Sequence, residues 1–255
     1  MTYFLTLAAV LFVYMNLWFI VSLIKKRNDV ADVGWGLGFV LLAWTSLFLS
    51  DTVTITKALV CAVVTIWGTR LSWHVYTRNR VKAEDYRYNE WRQAWGKSFY
   101  IRSYLQVFVL QGILLYLIAL PVLLINASSQ IGLATISIVG LAVWTIGFLF
   151  EAIGDAQLKA FLKDPANKGK LMMSGLWAYT RHPNYFGEVT QWWGIWLASL
   201  ATPFGAYAVI GPLTITILIL KVSGVPLLEK KMVDNPDFAA YKRRVSMFIP
   251  LPRRT

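Results

Sequence analysis

Cysteine is nearly absent. Cys61 is the single one in 255 residues and lies in an apolar run, so the chain can form no internal disulfide and no cysteine-rich metal centre. Histidine is scarce as well. His74 and His182 are far apart, a histidine-built metal site would need carboxylates to complete it, and no metal is expected. Charged residues make up 15% of the chain against about 25% in ordinary soluble proteins, and acids are outnumbered by Lys and Arg, 13 to 25. No Ser-His-Asp or Cys-His set, HExxH helix or phosphate-cradling glycine loop occurs, which leaves hydrolase and ATPase chemistry without residues. Internal repeats and low-complexity segments are missing too.

What fills the chain is apolar. Hydrophobic residues reach 57%, mean hydropathy is +0.53, and runs of about 20 apolar residues recur, the length that crosses a hydrocarbon core. The alternating ten-residue pattern of a membrane barrel is not seen. The fold class expected is therefore all-α, a polytopic membrane bundle of about seven transmembrane helices. Its spans fall near 3–24, 35–50, 56–76, 103–125, 131–152, 184–201 and 205–222. The first run, Tyr3 to Ile24, has no basic leader and no small-x-small cleavage site before Lys25, so it reads as a helix rather than a signal peptide.

The polar connections alternate in charge. Segments 25–34, 77–102, 153–183 and 223–255 hold nearly all the Lys and Arg, whereas "SDTVT" and "NASSQ" hold none, and Lys57 stands alone near that side. The excess of Lys and Arg marks cytoplasmic loops, which puts the N-terminus outside and the C-terminus inside. The net charge of +12 thus belongs to one face, where it sets topology and attracts anionic lipid or lines a pocket for an anionic cofactor. No folded basic module for nucleic acid is visible. "GWGLG" (Gly34, Gly36, Gly38) has the look of a dinucleotide loop, but it opens a membrane helix instead of following a strand. Close helix packing by small residues is the better reading.

Polar residues inside apolar helices are functional candidates, because a charge at the bilayer centre costs at least about 2.5–3.5 kcal/mol. Three groups stand out. In "TRHPNYFGEVTQWWG", Pro183 suits a first helical turn, and Asn184, Glu188 and Gln191 share one face behind Arg181 and His182 at the helix's positive end. Glu188 on that face is either a ligand contact or a neutralising partner of Arg181. In "FEAIGDAQLKAFLK", Glu151, Asp155 and Lys159 step by four along one stripe that leaves the membrane, with Lys163 beyond. The early loops hold Asp29 and Asp32 at the mouth of the second span and Arg70 and His74 at the end of the third. Between them and the fourth span, Tyr86, Tyr88, Trp91 and Trp95 read as an amphipathic segment lying in the interface. Together these describe a polar pocket among helices, suited to a charged cofactor from the cytoplasm and an apolar substrate from lipid.

The segments "SGLWAYTRHPNYFGE" and "LLEKKMVDNPDFAAYKRRVSMFIP", with "NDVADVGWG", "WGTRLSWHVYTRN" and "EDYRYNEWR", resemble the steroid 5-alpha-reductase-like membrane enzymes, in particular the branch called DUF1295. The likeness covers nearly the whole chain. It implies a single integral-membrane domain over 1–255, with a substrate-side half near 1–130 and a cofactor half near 131–255. It also implies NADPH as cofactor and reduction of a carbon–carbon double bond conjugated to a ketone in a steroid-like or isoprenoid lipid. The NADPH site implied is Asp155, Lys163, Arg181, His182, Asn184, Glu188 and Tyr241. A donor polarising the substrate carbonyl is implied among Asp29, Asp32, Tyr86 and Tyr88, in place of the family's glutamine–glutamate pair. The isoprenylcysteine and phospholipid methyltransferases, which use S-adenosylmethionine, share the "RHP-x-Y-x-G" pattern and basic tail and form the alternative. A non-catalytic lipid-binding or transport protein is the third reading. The resemblance further implies a monomer in a bacterial inner membrane, with the active site facing the cytoplasm, partnered by lipid and an apolar small molecule.

Overall fold

A computed structural model describes residues 2–84, 86–129 and 132–254; the side chains of Tyr86 and Arg87 lie outside the described set. All regular structure among the described residues is helical, with no strand. Six helical stretches are long and apolar enough to cross a membrane: Thr2–Lys25, Val30–Phe48, Ile55–Asn79, Tyr88–Ala127, Thr135–Lys163 and Gly205–Met232. The first three are α1, α2 and α3. The fourth runs through α4 (Tyr86–Trp95), the short α5 (Phe99–Ser103), a π-helical stretch over Tyr104–Val109, and α6 (Leu110–Ala127). The fifth is α7, and the expected span over 184–201 is α8 (Pro183–Ser199), which at 17 residues is shorter than the six. The last stretch comprises α9 (Ile210–Ile217), a π-helical stretch over Leu218–Val222 and α10 (Val225–Met232). The chain closes with α11 (Phe238–Arg244).

Two compact units are distinguished, residues 1–134 with 199–210 and residues 135–198 with 211–255. In the first, α2 and α3 cross at glycine. A Cβ on Gly68 would stand 2.5 Å from the Gly36 carbonyl oxygen, so nothing larger than glycine permits this approach. Gly38 likewise faces Leu115, so the "GWGLG" segment is a packing surface. In this unit Leu7, Phe39, Leu42, Val60, Trp67, Leu115 and Ile118 are buried.

The second unit rests on α7 and α8, which run antiparallel. Gly140, Gly147 and Gly154 recur every seven residues on α7 and meet the α8 residues Gly194 with Ala198, Gly187 with Gln191, and Pro183 with Asn184. Such a spacing keeps one stripe of a helix facing its partner. A Cβ on Gly147 would lie 2.6 Å from the Gly187 oxygen, and one on Gly187 2.5 Å from the Gly147 oxygen. Where the apolar run ends at 152, α7 continues to Lys163. The acid stripe read from the sequence therefore stays on one unbroken helix.

Candidate functional site

Pro183 begins α8, and the Phe186 amide donates to the His182 carbonyl oxygen to close its first turn. The segment ahead of it is strapped to the C-terminal tail. Thr180 and Ser246 form an isolated parallel bridge, the Arg181 amide donates to Ser246 O at 2.9 Å, and the Leu251 amide donates to Tyr179 O at 3.0 Å. The Thr180 hydroxyl donates to Phe248 O at 2.8 Å. The chain entering α8 is thus fixed before any ligand arrives.

Along the α7–α8 contact, two acids each hold an amide. Asn184 Nδ2 donates to Asp155 Oδ1 at 3.2 Å, and Gln191 Nε2 donates to Glu151 Oε2 at 2.5 Å. Glu151 and Gln191 are buried, whereas Asp155, Asn184 and Glu188 are half-buried. Each amide nitrogen is committed to an acid, so its oxygen is turned elsewhere. Asn184 Oδ1 and Gln191 Oε1 are buried atoms with no hydrogen-bond partner. Buried acceptors left open in this way are met by a water, an ion or a ligand, or store strain.

At the head of α8 the organising group is Glu229, on α10. Its Oε1 accepts from Arg181 Nε and Nη2, both at 2.8 Å, and lies 3.3 Å from His182 Nε2; Lys242 Nζ is 3.7 Å from Oε2. Arg181 Nη1 donates to the Val245 carbonyl oxygen at 2.7 Å. The guanidinium is therefore satisfied by protein groups, and it links α8, α10 and the tail. Burial pushes the His182 imidazole below its ordinary value, and Glu229 offsets this only in part, so the ring is neutral at pH 7.

Tyr241 and Phe238 of α11 lie in a small buried cluster with Val245 just beyond it, and the Tyr241 hydroxyl donates to Trp177 O at 2.6 Å. Burial raises its titration, so it remains a donor throughout the physiological range. Lys163 is exposed at the end of α7. Of the seven residues proposed for the cofactor, Asp155 with Asn184 and Arg181 with His182 are brought together directly. Arg181 and Tyr241 spend their polar groups on the protein itself.

In the first unit, Asp29 is buried and takes both its hydrogen bonds from Arg27, Nε to Oδ1 at 3.0 Å and Nη2 to Oδ2 at 2.6 Å. Asp32 is half-buried in the first turn of α2. Tyr88 is buried, its ring edge-on to Trp91 at 5.4 Å in the helix expected to lie in the interface. Tyr86 starts α4, but its side chain lies outside the described residues. The residue that sequence reasoning missed is Glu229. It lies in the quoted "LLEKKM" and is the one acid between Lys221 and Lys231, a signal that charge counting could have caught.

The family model DUF1295, described as a protein of unknown function, matches residues 18–245. An uncharacterized protein of Schizosaccharomyces pombe is 25% identical over 94% of this chain and 77% of its own length. The 3-oxo-5-alpha-steroid 4-dehydrogenase 1 of Bos taurus is 39% identical over 28% of this chain and 27% of its own length. A probable O-methyltransferase of Ustilaginoidea virens is 34% identical over 31% of this chain and 28% of its own. The chain thus spans about a quarter of the named enzymes it matches. No solved structure shows a significant match. These relatives are eukaryotic and lend nothing to a bacterial location.

Proposed function

The chain belongs to the DUF1295 family of integral membrane proteins, and we propose that it is an NADPH-dependent reductase of a conjugated carbon–carbon double bond in a steroid-like or isoprenoid lipid. One observation carries this reading. Asp155 ties down the amide nitrogen of Asn184, and the Asn184 oxygen is left as an open acceptor at the head of a helix. An acceptor so placed suits the hydroxyl or amide donors of a dinucleotide, and the exposed Lys163 suits its phosphates. The residues present fit the group. Bound there, NADPH supplies the hydride.

Asp155, Asn184, Glu188 and His182 hold and orient the cofactor, while Arg181 and Tyr241 build the wall behind it. The substrate carbonyl is polarised by one of Asp32, Tyr86 and Tyr88, or by Asp29, whose carboxylate Arg27 holds. On this reading α8 is the seventh span, its 17 residues giving roughly 25 Å of helix, at the short end of what crosses a bilayer. The N-terminus is outside, the tail is cytoplasmic, and residues 1–255 act as one monomeric domain.

A second reading has one observation in its favour, the match to the probable O-methyltransferase, and would place S-adenosylmethionine at the same residues. The ligand retained by purified protein separates the two. NADP(H) identified by mass spectrometry supports the reductase. S-adenosylmethionine or its demethylated product supports the methyltransferase, and lipid alone leaves a non-catalytic lipid carrier.

A further inference from the structure

His182 is 1% exposed, and its two ring nitrogens have different fates. Nε2 faces Glu229 Oε1 at 3.3 Å, whereas Nδ1 is buried with no partner. An ionised carboxylate only accepts, so a neutral ring bonded to it carries its proton on Nε2 and its lone pair on Nδ1. The ring also lies nearly parallel to Tyr185, 5.7 Å between centroids at 23°. Two residues on, Asn184 Oδ1 is a second buried acceptor without a donor. Arg181, next to His182 in sequence, already has its charge matched by Glu229. The head of α8 therefore offers open acceptors beside a guanidinium that is already paired.

We propose that Glu229 is a positioning residue that locks His182 as the Nε2–H tautomer, so that His182 Nδ1 and Asn184 Oδ1 receive an uncharged donor group of the ligand, a hydroxyl or a carboxamide, rather than a phosphate. This deepens the reductase reading and rests on it for the identity of the ligand, though not for the tautomer. The chain has only two histidines, so nitrogen-labelled histidine gives two sets of ring signals, and His182→Gln assigns them.

In unliganded protein in detergent, His182 is expected with a protonated Nε2 and an acceptor Nδ1; a protonated Nδ1 would overturn the proposal. Titration with NADPH is expected to shift the Nδ1 signal. If NADPH binds and that signal stays still, the acceptor role fails. If S-adenosylmethionine shifts it and NADPH does not bind, the acceptor stands and the reductase reading falls. Glu229→Gln can donate as well as accept. It is expected to mix the two tautomers and weaken NADPH about tenfold, the loss of roughly one hydrogen bond. An unchanged tautomer and affinity in a folded variant would overturn the positioning role. Should that variant not fold, the wild-type spectrum alone decides.

Discussion

His182 shows how one side chain's surroundings become a property of the whole protein. Its folded pKa lies below the ordinary imidazole value of about 6.5. The unfolded chain therefore takes up a proton there that the folded chain refuses, and stability present above that value is lost as pH falls through it. Melting temperature in detergent is expected to drop between about pH 7 and pH 5, and His182→Gln should flatten the slope. A slope unchanged in the variant would assign the effect elsewhere. Asn184→Ala is expected to weaken NADPH about tenfold with little change in melting, since the half-buried amide contributes little to the core. Isothermal titration and a thermal scan on the same preparation check both parts. Helical spacing made Asn184 and Gln191 legible as one face, and that face meets α7. The partner of Arg181 was not legible, because Glu229 lies 48 residues away and only folding brings an ion pair of that separation together.

Among elements, the α7–α8 pair depends on glycine meeting glycine. Gly147→Val places new atoms against the Gly187 carbonyl and is expected to cost about 1–3 kcal/mol, the usual penalty of overpacking. Because the acid–amide pairs cross the same contact, NADPH binding should fall together with the melting temperature. A variant that melts lower yet binds as wild type would separate the packing from the site. Apolar length made the membrane helices legible in the sequence. Their ends were less so. The apolar run ends at 152, yet α7 continues to Lys163, because acids paired across a helix contact do not break a helix. The π-helical stretches at Tyr104–Val109 and Leu218–Val222 carry no composition signal at all.

For the whole molecule, the distribution of basic residues predicts which loops face the cytoplasm, and the scarcity of cysteine makes this easy to test. Cys61 is fully buried, so a single introduced cysteine is the only reactive thiol. Ser174→Cys is expected to be protected from an impermeant reagent in intact cells and Ser128→Cys to be labelled; the reverse pattern would invert the topology. The membrane class was readable from composition alone. That residues 199–210 join the first compact unit was not, because the chain returns to it after building most of the second.

The strap between the tail and the entry to α8 carries a consequence in time. A ribosome delivers Glu151 through Gln191 well before Glu229, Ser246 and Leu251, yet these later residues fix Tyr179, Arg181 and His182 in place. Helices α7 and α8 can pair while the head of α8 is still untied. A chain stalled before residue 229 would carry the α7–α8 pair with the head of α8 unheld.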